Sequence, residues 1–310
     1  MINTLTLNPG LDHILYLDRL EKNITNRLKS SLLSIGGKGT HVSINLGLMG
    51  TPSRAFGFSF GKNGKLIQEM LKRAGVSVAF IHGEQGESRD NYLIVEEETQ
   101  DCTLLSEKGP QPDGGQVDAF FELLQGEVQS GDDLVLSGDV SNFSKQDIYG
   151  QVMGMLSDKG LRVFLDASGP SLRSGIRRKP FLIKPNLDEL SSLTGKMLVT
   201  TRDIVNAVRG LDGLGIEIIA VSMGGRGSLV RAGDSLFSVT PPKVSVRNTI
   251  GCGDCYIAGL LHGLNHDFDI EHTIRYATAV SAAAAESRDS VGFDPLRADE
   301  LLQQVEITRI

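Results

Sequence analysis

Asp133-Leu134-Val135-Leu136-Ser137, Arg162-Val163-Phe164-Leu165-Asp166 and Phe181-Leu182-Ile183-Lys184 are short apolar runs, and residues 217–222 form a fourth. Around them, residues 117–128, 145–157, 187–194 and 201–214 carry apolar side chains at helical spacing. Strands that read as near-continuous apolar runs and alternate with helices imply a mainly parallel sheet covered on both faces. The expected fold class is α/β.

Outward from this region the pattern loosens. Toward the N-terminus, strands are expected over 3–7, 14–17, 28–35 and 56–60, and helices over 40–50 and 65–74. Residues 91–96 and 103–107 flank the polar turn 97–101 and read as a hairpin outside the main alternation. Toward the C-terminus, 228–232 and 235–239 form a hairpin around Gly233-Asp234, closed by Pro241-Pro242. Helices are expected over 254–264, 270–287 and 296–305, and 277–285 is small enough to pack closely on a neighbour. With no low-complexity tail, flexible linker or internal repeat, residues 1–310 read as one domain.

Composition narrows the function classes. A formal net charge of -7 argues against a broad nucleic-acid surface, so an anionic ligand would need a local basic pocket. No apolar stretch approaches the roughly 20 residues of a membrane span, and the N-terminus does not read as a signal peptide. Cys102, Cys252 and Cys255 are too few for a disulfide framework and suit a reducing compartment, so the cytoplasm is expected.

Chemistry concentrates at Asn248-Thr249-Ile250-Gly251-Cys252-Gly253-Asp254, ahead of a helix. Two glycines and a first helical turn can aim several N–H groups at one point and make an anion site. Asp254 adds a carboxylate able to accept a hydroxyl proton; without that role it is an N-cap after a glycine turn. Residues 57–63 lack the Walker A spacing, and neither a dinucleotide glycine pattern nor a protein-kinase signature set is present.

Four motifs in order extend the reading. Leu5-Thr6-Leu7-Asn8-Pro9 with Asp12, then Asn26-Arg27 followed by Gly36-Gly37-Lys38-Gly39, then Lys184-Pro185-Asn186 with Glu189, and finally residues 248–254 run the length of the chain. Together they resemble the ribokinase-like (PfkB) carbohydrate kinases, in the branch of 1-phosphofructokinase and tagatose-6-phosphate kinase. The resemblance implies a three-layer sandwich with a mainly parallel central sheet, and a small β-sheet lid from segments near 12–35 and 89–108. It implies ATP and Mg2+, a sugar-phosphate acceptor, and homodimers paired through the lid.

Each motif then acquires a role. Asp254 is the expected general base, and the backbone of Gly251, Cys252 and Gly253 the expected anion hole. Asp12 would accept hydrogen bonds from sugar hydroxyls. Gly37, Lys38 and Gly39 would form the sugar-phosphate loop with residue 41, and Arg27 and Arg89 are candidate forks for the substrate's own phosphate. Lys184 and Asn186, at a strand end, and Ser222, Gly224 and Gly227, after another strand, would line the nucleotide. Glu189 is implied to act on Mg2+ through water.

Two positions depart from the family pattern. His41 stands where Asn is usual, and Ser137-Gly138-Asp139 where a Ser-Gly-Ser tract is usual. An imidazole can still donate to and accept from a sugar. Asp139 would repel a sugar phosphate unless it points elsewhere or the preferred substrate differs. The acceptor is left open between fructose 1-phosphate and tagatose 6-phosphate. The alternatives are a kinase of an unphosphorylated sugar or nucleoside, and a non-catalytic sugar-phosphate sensor. Cys252, Cys255, His262 and His266 spell C-x2-C-x6-H-x3-H, a spacing short for a zinc finger.

Overall fold

A computed structural model describes residues 1–99, 101–143 and 147–310. In chain order the first half contains β1 (Ile2–Thr6), β2 (Gly10–Leu17), β3 (Ser30–Gly36), α1 (Lys38–Leu48), β4 (Ser53–Phe60), α2 (Gly61–Arg73) and β5 (Ser77–Gly83). Then come β6 (Arg89–Glu96), β7 (Cys102–Ser106), α3 (Gly114–Glu127), β8 (Asp133–Ser137), α4 (Ile148–Met155), β9 (Arg162–Asp166), α5 (Gly169–Ile176) and β10 (Leu182–Ile183). The remainder is α6 (Leu187–Thr194), α7 (Thr201–Arg209), β11 (Ile218–Ser222), β12 (Ser228–Ala232), β13 (Ser235–Thr240), α8 (Cys252–Asn265), α9 (Ile270–Ala285), α10 (Pro295–Leu302) and β14 (Glu306–Arg309).

Ten strands form one sheet in the order β14-β13-β12-β11-β10-β9-β8-β1-β4-β5. The seven from β11 to β5 are mutually parallel, and β12, β13 and β14 extend the sheet antiparallel. Period-2 alternation assigns their side chains to two cores. Leu134, Leu136, Val163, Leu165, Ile219 and Val221 pack under α3 to α7, whereas Val135, Phe164, Ile218 and Ala220 pack under α1, α8, α9 and α10. This is the expected three-layer α/β sandwich. The small residues of α9 meet α8, where a Cβ on Gly259 would come within 2.6 Å of Ala277 Cα.

β3, β2, β6 and β7 form a separate four-stranded sheet. Its register puts Asp12, Asn91 and Ser106 in one cross-strand row, and Ile14, Leu93 and Leu104 in a second row on the same face. Leu33, His13, Tyr92 and Leu105 form a row on the opposite face, with Leu33, Tyr92 and Leu105 exposed.

Some boundaries differ from expectation. Lys145, expected to open a helix, lies outside the described residues, and α4 is described from Ile148. The strand β5 went unread in sequence. So did α5, whose Gly169-Pro170 start and Gly175 read as helix breakers; Pro170 occupies the first turn, where no N–H is needed, and Gly175 packs on Leu165. β14 follows α10 as an edge strand that pairs with β13.

Candidate active site

Two cavities open at the C-terminal ends of the parallel strands, of about 650 and about 620 Å3, and Lys184 and Gly253 line both. The turn before α8 is their common wall. Gly251 caps α8 at φ 79°, and a Cβ there would lie 2.0 Å from the Ser290 carbonyl oxygen, so only glycine fits. The first N–H groups of a helix have no partner inside it, and here they begin at Cys252 and Gly253 between the two cavities. Asp254, 5% exposed in the first turn of α8, lines the first cavity.

The first cavity contains Asp12, Gly37, Lys38, His41, Arg89, Gly138, Asp139, Asp166 and Asp254, roofed by the inner face of the small sheet. Asp12 accepts from Asn91 Nδ2 at 2.8 Å and from Ser290 Oγ at 3.1 Å. Gly36 makes room for it, since a Cβ there would sit 2.1 Å from Asp12 Oδ1. Gly37, at φ 114°, turns the chain into α1 and directs Lys38 into the cavity.

Asp166, at the end of β9, was not singled out in sequence. It is 1% exposed and forms ion pairs with Lys38 at 3.2 Å and Lys184 at 3.4 Å, joining the lysines of the two cavities. Burial opposes its charge, but Lys184 and Lys38 outweigh that and hold its carboxyl below the usual carboxylate range. Reciprocally, Asp166 raises Lys38 above the ordinary lysine range. A carboxylate at the C-terminal end of a parallel strand is the signal that marks such a residue.

Three residues expected at the sugar have other contacts in this structure. His41 is not free to meet a sugar: Nδ1 lies 2.8 Å from Asp254 Oδ2 and Nε2 lies 2.7 Å from the Ile35 carbonyl oxygen. Arg27 does not line the cavity; it lies on the connection between β2 and β3, where Asn26 closes a turn onto the backbone of Glu21. Gly39 does not line it either, and instead lets α1 approach β1, because a Cβ there would be 2.5 Å from the Leu5 carbonyl oxygen.

Arg89 is buried and does line the cavity, but its Nη1 donates to Asp139 Oδ2 at 3.1 Å. Asp139 also accepts from Asn8 and from the Ser141 hydroxyl and backbone. Burial works against its charge, and the Ser141 bonds and the Arg89 guanidinium prevail, so its carboxyl lies below the ordinary range. Asp139 therefore faces the substrate space already paired.

The second cavity is lined by Lys184, Ser222, Gly224, Gly227, Pro241, Pro242, Cys252, Gly253 and Tyr256, among others. A Cβ on Gly253 would sit 3.1 Å from Lys184 Nζ, which brings that ammonium against the glycine turn. Gly227, at φ 91°, would collide with the Val239 carbonyl oxygen if it carried a Cβ. Asn186 and Glu189 line neither cavity; they form a capping box at the start of α6, with reciprocal bonds of 2.9 and 2.8 Å.

Among the described residues no cluster of three or more His, Cys, Asp or Glu side chains could hold a metal ion. Cys255 is buried, while His262 and His266 stack on each other at 4.1 Å toward the far end of α8. Burial, then the nearby Asp254 charge, pushes the Cys252 thiol up to about 12, so it stays protonated and a poor nucleophile. No described helix is long and apolar enough to cross a membrane.

A model of the family described as pfkB family carbohydrate kinase matches residues 6–295. The chain is 31% identical over 310 residues to the 1-phosphofructokinase of Bacillus subtilis (strain 168), covering the whole of both. Phosphofructokinase-2 of Escherichia coli in complex with substrates and products shares the fold, with a TM-score of 0.92 at 23% identity over 98% of each chain. A tetrameric inhibited form of that same Escherichia coli protein superposes with a TM-score of 0.87, at 23% identity and 98% coverage of each chain.

Proposed function

This chain belongs to the pfkB family of carbohydrate kinases, and on that premise we propose that it is an ATP-dependent kinase of a ketohexose phosphate, with fructose 1-phosphate or tagatose 6-phosphate as acceptor and the 1,6-bisphosphate as product. The observation that carries the reading is the junction of two cavities at one helix N-terminus, with Asp254 on one side and Lys184 spanning both. Phosphoryl transfer needs little covalent chemistry from the protein beyond positioning, charge stabilisation and a proton acceptor.

The sugar phosphate occupies the first cavity, with Asp12 accepting from its hydroxyls and Lys38 and Arg89 drawn to its phosphate. ATP occupies the second, along Ser222, Gly224 and Gly227. Asp254 Oδ1, which carries no hydrogen bond among the described residues, takes the proton of the attacking hydroxyl. The N–H groups of the Gly251 to Gly253 turn and Lys184 stabilise the migrating phosphoryl.

With no protein cage for a metal among the described residues, the site fits an Mg2+ that arrives on the nucleotide and keeps its water. Glu189, whose Oε1 has no hydrogen bond among the described residues, would hold it through that water. Bound there, Mg2+ supplies charge neutralisation on the phosphate oxygens.

The four-stranded sheet acts as a lid belonging to the same kinase unit. Its outer row of Leu33, Tyr92 and Leu105 is suited to pair with a second copy of the chain. The test of the main reading is a coupled ADP-release assay over fructose 1-phosphate, tagatose 6-phosphate, fructose 6-phosphate, free hexoses and nucleosides. Release with a ketohexose phosphate alone is expected; turnover confined to free sugars or nucleosides, or none at all, rejects it.

A further inference from the structure

His41 is buried to 3% exposure against the carboxylate assigned as general base. Its two ring nitrogens face groups that can only accept: the Asp254 carboxylate at 2.8 Å and the Ile35 carbonyl oxygen at 2.7 Å. A neutral imidazole has one N–H and one lone pair, so either tautomer would set a lone pair against an oxygen at hydrogen-bond distance. With Asp254 ionised, as a general base requires, both contacts are satisfied together only when both nitrogens carry protons. From this geometry we infer that His41 is a cationic positioning residue for Asp254: it fixes Oδ2 and leaves Oδ1 to receive the substrate's proton.

The surroundings agree with a charged ring. Asp254 on α8 and Asp12 on β2, the latter 4.0 Å from Nε2, are the carboxylates that face it, and β3 contributes the Ile35 carbonyl. Lys38, three residues earlier on α1, directs its ammonium to Asp166, and Arg89 directs its guanidinium to Asp139. Burial opposes the charge; the bond and charge of Asp254, then Asp12 and Ile35, outweigh it and raise the imidazole to about 9.

The proton balance is simple. In transfer, the acceptor O–H bond breaks as its oxygen bonds the γ-phosphorus, the proton passes to Asp254 Oδ1, and the P–O bond to ADP breaks with its electron pair on the nucleotide. His41 keeps both of its protons throughout. Its effect is to hold the Asp254 carboxylate by Oδ2 with Oδ1 open to the acceptor hydroxyl.

The inference rests on the general-base reading of Asp254 and is tested by two readouts. His41→Asn places an amide nitrogen near the position of Nδ1, keeping a donor to Asp254 while removing the charge. In kcat/KM against pH, the wild-type loss above pH 9 is expected to vanish in the variant. Superimposable profiles from two active proteins would overturn the positioning role and leave the kinase reading intact.

The second readout needs no turnover. The chain has six histidines, so the imidazole resonance lost in His41→Asn assigns residue 41. Its nitrogen shifts at pH 7 should report two N–H groups, and Asp254→Asn should lower its titration midpoint by more than one unit. A neutral ring at pH 7 overturns the inference whatever the assay shows, whereas absence of ADP release with every sugar phosphate fells the kinase assignment and the positioning role with it, even where the ring carries two N–H groups.

Discussion

Replacing Asp166 by Asn should expose how strongly the two lysines depend on one carboxylate. Asp166 and Lys184 are 1% and 6% exposed, and the pair is held at 3.4 Å, with Lys38 on the same carboxylate at 3.2 Å. Removing one partner of a buried ion pair costs about 3–5 kcal/mol, because the other charge stays buried without compensation. Lys38 opens on the cavity, where water screens it, so about 3 kcal/mol is expected. With an unfolding entropy of roughly 2.1 cal/mol/K per residue over 310 residues, that is a fall of about 5 °C in Tm.

The pH dependence of that deficit follows from the direction of the Asp166 shift. Its folded pKa is depressed, so its contribution is complete above the unfolded value of about 3.9 and is lost as pH falls through the lower folded value. Urea titrations of the two proteins should differ fully at pH 7 and converge in strong acid. Added ADP should narrow the gap at pH 7 by giving the freed ammonium groups an anion. A deficit under about 1 kcal/mol at pH 7 would refute the claim that Asp166 is the buried counter-charge of both lysines.

Asp254→Asn should retain sugar-phosphate and ATP binding by calorimetry while kcat drops by about 10²–10⁴-fold; near-normal kcat rejects the general base. Asp139→Ser frees Arg89 from its 3.1 Å partner, so KM for a phosphorylated sugar should fall several-fold with little effect on free fructose, as read in the same ADP-release assay. Leu105→Lys places a charge in the outer row of the lid, and sedimentation velocity should show a shift from dimer to monomer; an unchanged sedimentation coefficient removes the lid from any interface.

The α/β sandwich was legible because parallel strands such as Leu134 to Leu136 must be apolar on both faces, and that requirement is local. The glycine turn before α8 was legible for a similar reason: at Gly251 a Cβ would lie 2.0 Å from the Ser290 carbonyl oxygen, a backbone clearance that only glycine satisfies. What escaped was long-range pairing. Asp166 has no local pattern, since its meaning comes from lysines at 38 and 184, and the His41 contact to Asp254 spans 213 residues of sequence. Gly39 and Arg27 are expected at the sugar from motif alone, which carries neither the packing of α1 on β1 at Gly39 nor the place of Arg27 on the connection between β2 and β3.

These pairings also change how the departures at 41 and 139 are understood. The acidic composition called for a locally basic pocket, yet Asp12, Glu107, Asp139, Asp166 and Asp254 line the first cavity beside Lys38, Arg89, Lys108 and Lys184. With His41 charged, five carboxylates face five cations, so the cavity is balanced before any ligand enters. Asn and Ser at these two positions would contribute neither charge. Here Asp139 adds a negative charge against Arg89, and His41 adds a positive one against Asp254. Under the proposed function an incoming phosphate would bind by exchange, taking Arg89 from Asp139 rather than meeting a free cation. Such exchange requires the ligand to replace the lost bond with a charge-assisted one of equal geometry, so under the proposed function Asp139 would set a cost on phosphate binding that an uncharged sugar, which does not compete for Arg89, would not meet.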